Sequence, residues 1–336
     1  MSTQASASTS PDRIAATATS AFGSADLTPP MVRPNTTPRH RPSSLTEHIA
    51  AVTCRSAGQR LGRCQNQGVV PLDGLHGERD RAESFGSAAE RYDRYRPGYP
   101  SALIDELLSL SPASALDVGC GTGKVAVSLM GRGLPVLGVE PDVGMAEIAR
   151  RHQVPVEVAS FESWEPAGRR YDLVTAGHSW HWVDPVVGLA KAAMVTVPGG
   201  TVALFWNYHV LDESLLTAFD GAYRAHAPEL TVIGRDPSEN GAQDADPFKG
   251  STDFRSLGNR TYRWARILDS DAWTSMLATF SDHARLGDAR LGDLQTALRR
   301  AIDQEGGVVR SQSGTYVWMA RRLEKAAGQV RPFSAL

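Results

Sequence analysis

Between residues 101 and 207, apolar positions switch repeatedly between helical and extended spacing. Leu103, Ile104, Leu107 and Leu108 share one helical face of the segment 101–110. Ala115 to Val118 reads as a short buried strand ending in glycines, with a helix following to about Met130. A strand is predicted over 135–139. Asp142 then caps a helix whose apolar side is Met145, Ile148 and Ala149. Strands follow at 156–159 and 171–176. Asp184-Pro185 pairs a cap with proline at the first helical position and opens a helix to about Val195. Pro198-Gly199-Gly200 reads as a turn, and 201–207 as the next strand. This alternation predicts an α/β domain, doubly wound on a mostly parallel sheet.

Beyond residue 207 the pattern loosens. A helix is predicted over 213–225 and a polar, breaker-rich loop over 234–252. An extended piece near 260–265 follows, then helices near Asp271 and Leu291 and a strand at 316–320. Ahead of the domain, the first fifty residues are rich in Ser, Thr, Ala and Pro, and Asp12 and Asp26 are the only acids before Glu47. Such a stretch buries too little apolar surface to offset its ordering entropy. Residues 1–80 are therefore expected to be a disordered low-complexity tail, and 81–325 the folded domain. An acid-poor, Ser-rich, Arg-containing leader also fits an organelle transit peptide, the other reading of the same residues.

Composition narrows the function classes. A formal charge of −2 over 336 residues gives no broad field for attracting nucleic acid or an anionic membrane. No run approaches the roughly 20 apolar residues that a spanning helix needs. The three cysteines, Cys54, Cys64 and Cys120, form no disulfide framework and no zinc spacing, so a reducing, cytoplasmic setting is expected. The expected partner is a small molecule, with no nucleic acid, membrane or metal.

The densest chemical signal is ALDVGCGTGKVAV, residues 115–127. Gly119, Gly121 and Gly123 link an apolar strand directly to a helix, and glycines at such a turn permit positive φ and close approach of a ligand. The free amides of the turn can then meet polar or anionic groups. A phosphate-binding loop requires glycine and Ser or Thr where this chain has Val118 and Val125. A dinucleotide fingerprint requires glycine where Lys124 stands. Asp117 disfavours a pyrophosphate and favours an ammonium group.

With these residues the chain resembles the class I S-adenosylmethionine-dependent methyltransferases, whose first motif is an acid followed by spaced glycines. VLGVEPDVGMAEIAR, residues 136–150, extends the likeness. The resemblance implies a Rossmann-like seven-stranded sheet with the Tyr316 strand inserted antiparallel. It implies S-adenosylmethionine as cofactor, held by Asp117, Gly119, Cys120, Gly121, Gly123, Glu140, Pro141 and Met145, with Glu140 on the ribose hydroxyls. Ser160 and Phe161, after the third strand, correspond to the adenine-contacting loop, and Ala176 and Gly177 to the cofactor edge of the fourth strand. Many small-molecule members open with a segment like AERYDRYRPGYP, residues 89–100, which lies over the cofactor as a lid. That places Tyr92, Arg96 and Tyr99 toward the acceptor, and the resemblance puts further substrate-side elements at about 208–290.

AGHSWHWVDP, residues 176–185, gathers His178, Trp180, His181 and Trp182 behind a strand. The histidine spacing chelates a metal only on a helix, and the helical signal starts only at Asp184. The expectation is a pocket wall, with Trp180 and Trp182 packing and His178 or His181 facing the acceptor or acting as a base. The expected activity is methyl transfer to a small molecule. A non-catalytic S-adenosylmethionine-binding regulator and an NAD-linked oxidoreductase are the alternatives.

Overall fold

All four residues of β1 (Ala115–Val118) are buried, as an apolar run between two neighbouring strands must be. In the computed structural model, which describes residues 75–78, 81, 85–240 and 245–324, β1 pairs in parallel with β2 (Val136–Glu140) and β4 (Tyr171–Gly177). β3 (Val156–Val158) adds in parallel beyond β2, and β5 (Thr196–Tyr208) beyond β4. β7 (Val308–Arg322) inserts antiparallel between β5 and β6 (Phe254–Asp269). The seven-stranded order is β3-β2-β1-β4-β5-β7-β6, with an antiparallel strand inserted as the family resemblance implies.

The helices follow from the apolar spacing. α1 (Ala89–Tyr95) lies in the entry segment, and α2 (Ser101–Ser109) buries Leu103, Ile104 and Leu107. α3 (Lys124–Met130) runs directly out of the glycine turn. α4 (Val143–Arg151) starts at Asp142, whose side chain accepts the Met145 N–H at 3.0 Å. α5 (Pro185–Val195) is capped by Asp184, which accepts the N–H groups of Val186 and Val187. α6 (Glu213–His226), α7 (Ser270–Leu277), α8 (Ser281–Ala284) and α9 (Gly287–Gln304) make a second apolar cluster around Trp273, Phe219 and Leu298.

Three expectations are corrected. Pro198-Gly199-Gly200 does not end an element but bulges out of β5. Thr196 pairs with Tyr171 and Thr201 with Leu173, so the residues between loop away with Gly199 at φ +77°. The strands near 260–265 and 316–320 are much longer. β6 is an edge strand carrying exposed polar residues, and β7 buries Ser311, Ser313 and Thr315, so neither shows a clean apolar pattern.

The third correction concerns the start. Most of residues 1–80 lie outside the described residues, but Leu75 is buried in a 3₁₀ turn, Leu75–Gly77. Glu78 accepts hydrogen bonds from Arg81 and Arg285. Packing thus begins ahead of residue 81. Burying one leucine contributes about 1.5–3 kcal/mol, equivalent to about 2–4 °C per kcal/mol in a domain of this size. A chain starting at Arg81 is expected to melt several degrees below one starting at Asp73. Equal melting temperatures by scanning calorimetry would show that Leu75 adds nothing.

Candidate functional site

The turn from β1 into α3 takes a path that L side chains resist. Gly119, Gly121 and Gly123 have φ of +61°, +57° and +87°. A Cβ on Gly119 would stand 2.4 Å from Ser179 Cβ, so the loop after β4 presses directly on the turn. Ser179 also donates to the Val118 carbonyl at 2.5 Å. The turn forms one wall of a large cavity of about 1280 Å³, part of it open to solvent.

Two buried carboxyls face this cavity. Asp117 Oδ1 accepts the Thr175 hydroxyl at 2.8 Å, while its buried Oδ2 has no protein partner. Glu140 accepts the N–H of Gly121 at 2.8 Å and that of Asp142 at 3.0 Å, one on each oxygen. Burial pushes both carboxyls up to about 7, against the hydrogen bonds that favour their charged forms. An acid that reluctant to ionise becomes a strong partner once a cation or hydroxyl completes its shell. Around them, Cys120, Pro141, Met145, Ser160 and Phe161 also line the cavity, each where the sequence expects it.

The entry segment forms the opposite wall. Gly86 N–H donates to Asp142 Oδ2 at 2.7 Å, tying this segment to α4. Lys124, Arg266 and Asn207 donate to the carbonyls of Asp93, Tyr95 and Gly98 at 2.6, 3.2 and 3.0 Å. Three elements therefore grip its backbone. Phe85 meets Tyr92 and Trp182 edge to face, and Tyr99 meets Phe205. Gly177 is required beside it, because a Cβ there would lie 2.5 Å from the Tyr99 hydroxyl. Tyr92, Arg96, Tyr99, Gly177 and Trp182 all reach the cavity.

The histidines divide. His178, in a left-handed conformation at φ +55°, lines the cavity, and its Nε2 accepts the Asn207 N–H at 2.7 Å. His181 sits on the 3₁₀ turn Trp180–Trp182, and its Nδ1 accepts the Trp206 indole N–H at 3.2 Å. Burial, reinforced by the Arg96 charge, drives His178 well below its ordinary value; burial, with Arg81 and then Arg96, takes His181 to about 3. Both rings are held neutral.

Four expected site residues do not line the cavity. His181 is turned toward Trp206. Trp180 packs in the core with Phe161, and Ala176 lies on the buried strand β4. Gly123 faces Val154 and Ala149, so its role is to let α3 approach α4 closely.

A methyltransferase-domain family profile matches residues 92–217. An uncharacterised methyltransferase of Mycobacterium tuberculosis is 40% identical over 211 residues, 60% of this chain and 79% of that protein. The chain belongs to the class I methyltransferases. A ubiquinone biosynthesis O-methyltransferase of Acinetobacter baylyi is 32% identical over 122 residues, covering 34% of this chain and 51% of the relative. Among solved structures, a candidate type II methyltransferase from Anaeromyxobacter dehalogenans superposes with a TM-score of 0.53 at 25% identity, over 69% of this chain and all of that one.

The methyltransferase cavity has further walls that no motif marked. Asn207 and His209, at the end of β5, carry no motif, yet both line it. Asn207 joins three elements: its Nδ2 holds Gly98, its Oδ1 accepts the Thr315 hydroxyl at 2.6 Å, and its backbone holds His178. Phe280, on the loop between α7 and α8, arrives from far along the chain. Asn207 had only its position, since β5 ends beside β4 in this sheet order, whereas His209 and Phe280 fall within the region 208–290 expected on the substrate side.

Asp117 supplies a test of the electrostatics. The folded carboxyl keeps its proton to about pH 7, whereas an ordinary aspartate loses it near 3.8. Rising pH between those values therefore favours the unfolded wild-type methyltransferase at this residue. Asn cannot ionise, so ligand-free Asp117→Asn should gain melting temperature relative to wild type from pH 4 to about pH 7, with a constant gap above. A pH-independent gap would overturn this reading of Asp117.

Proposed function

We propose that this protein transfers the methyl group of S-adenosylmethionine to a small molecule bound in the same cavity. The observation that carries the reading is the buried Asp117 Oδ2, unpartnered at the cavity wall beside the three-glycine turn. That oxygen fits the ammonium of an amino-acid moiety. Each Glu140 oxygen already accepts one backbone N–H, and a carboxylate oxygen has room for another donor, which suits two ribose hydroxyls. The Met145 and Phe161 side chains offer apolar contact to a purine, with Ser160 and Pro141 beside them. When bound, the cofactor supplies an electrophilic methyl on a sulfonium centre.

The chain's own contribution is positioning and exclusion of water. Tyr92, Tyr99 and Trp182 close the side opposite the turn, and aromatic faces suit a sulfonium cation. His178 presents a neutral ring to the acceptor, its Nε2 already occupied by Asn207 N–H, so it orients the acceptor more than it removes a proton. His181 is assigned to packing. The domain is taken as 81–325, with the 75–78 turn packed onto it as an annex. Among the described residues no helix is long and apolar enough to cross a membrane, and Cys120 is a free thiol. A reducing, cytoplasmic setting suits that thiol.

A dinucleotide is a poorer match, since Glu140 and Asp117 would both oppose a pyrophosphate at the turn. Calorimetry with S-adenosylhomocysteine and NADH separates the two. S-adenosylhomocysteine is expected to bind, and Asp117→Ala and Glu140→Ala should each weaken it at least about tenfold, roughly 1.4 kcal/mol, while unfolding stays cooperative. Unchanged affinity in both variants, or binding of NADH alone, would overturn the assignment.

A further inference from the structure

Arg96 lines the cavity, and among the described residues it has no counter-ion. Its Nε donates to Thr279 Oγ1 at 2.9 Å and its Nη2 to the Thr279 carbonyl at 3.3 Å. The guanidinium lies 3.6 Å from the Phe280 ring centre and 5.3 Å from that of Tyr92. No carboxylate is among the groups that influence it, and among the described residues it forms no ion pair. A hydroxyl, a carbonyl and two rings do not neutralise a half-buried charge. Uncompensated cations in such surroundings are costly, and an anionic ligand removes the cost.

His209 lies on the same cavity, at the end of β5. Its Nδ1 is 3.1 Å from Ser311 Oγ and 2.9 Å from Ser313 Oγ, and the two hydroxyls are 2.8 Å apart. The Trp264 and Trp273 rings stand edge-on to it. With Nδ1 occupied, Nε2 is the ring atom left for a ligand. When Nδ1 accepts a serine hydroxyl, Nε2 carries the proton and donates.

Arg96 is held at the α7–α8 loop by Thr279 and Phe280, whereas Asp117 and Glu140 stand at the glycine turn. The cavity therefore has an acidic end at the glycine turn and a cationic end between the entry segment and the α7–α8 loop. An amino-acid ammonium and ribose fit the first. The second lacks an anion.

We infer that Arg96 and His209 bind the carboxylate of a small apolar acid, and that this acid is the methyl acceptor. A carboxylate oxygen bonds to the methyl carbon as the sulfonium S–C bond breaks, the electron pair stays on sulfur, and no proton has to leave. The apolar body of the acid lies against Phe85, Trp182, Ile233 and Phe280, which line the same space. The inference rests on the donor site proposed above. Its rival is that Arg96 pairs with the carboxylate of the donor itself, and saturating the protein with S-adenosylhomocysteine separates the two.

Hexanoate and its neutral twin hexanamide are titrated calorimetrically into the S-adenosylhomocysteine complex. Hexanoate should bind, and hexanamide should bind at least about tenfold more weakly. Arg96→Gln should abolish that discrimination and leave S-adenosylhomocysteine affinity within about twofold, while Arg96→Lys should keep part of it. Equal binding of acid and amide to wild type would overturn the inference without any variant. So would an Arg96→Gln protein that loses S-adenosylhomocysteine while wild type ignores hexanoate, because the cation then serves the donor. Failure of wild type to bind S-adenosylhomocysteine would overturn the donor site and this acceptor together. Binding of S-adenosylhomocysteine without discrimination overturns the acceptor alone.

Discussion

Three left-handed glycines at alternate positions after β1, Gly119, Gly121 and Gly123, set the terms for the rest of the molecule. The turn they form needs the Glu140 carboxylate to hold the Gly121 N–H, so β2 must end level with it. It leaves no room for a Cβ at Gly119, so the chain leaving β4 can close down until Ser179 reaches the Val118 carbonyl. Three strand ends are brought to one level by a backbone path, and the cavity is the space left above them.

That cavity works against ordinary ionisation at both ends. Burial raises the acids at the turn and lowers the histidines opposite, so in the ligand-free protein both sets lean toward neutrality. The consequence is that the acids and histidines contribute little full charge, and Arg96 stands out as the cavity's uncompensated cation.

The glycine turn, Asp117, Glu140 and the Asp142 cap were legible because each is a local rule: a conformation, a carboxylate at a strand end, a side chain bonding amides of its own helix. The parallel half of the sheet was legible because both its faces are covered, which writes continuous apolar runs. β6 and β7 were read too short, since an edge strand and a strand with buried serines blur the alternation. His181 and Trp180 were drawn into the site by crowding in sequence, but a 3₁₀ turn sends neighbours in different directions. Asn207 escaped notice for the opposite reason, and His209 and Phe280 were caught only as part of a broad region. Nothing nearby in sequence marks them, and only the neighbours supplied by the folded sheet give them meaning.

The placement of β7 bears on how the chain comes to be folded during synthesis. β5 and β6 are both made before it, yet neither pairs with the other, and β6 has no other partner. Until residues 308–322 emerge from the ribosome, β5 presents an open edge of Val202, Leu204 and Trp206, and β6 is a sixteen-residue strand with nothing to join. The half of the sheet built from β1 to β5 can assemble early from contacts between neighbours. The cationic end of the cavity, with His209 held by Ser311 and Ser313, comes into being only when the last strand slides between two waiting ones. A nascent chain stalled before that point would carry the glycine turn but lack the serine support beside His209, and its unsatisfied strand edges would be a target for chaperones.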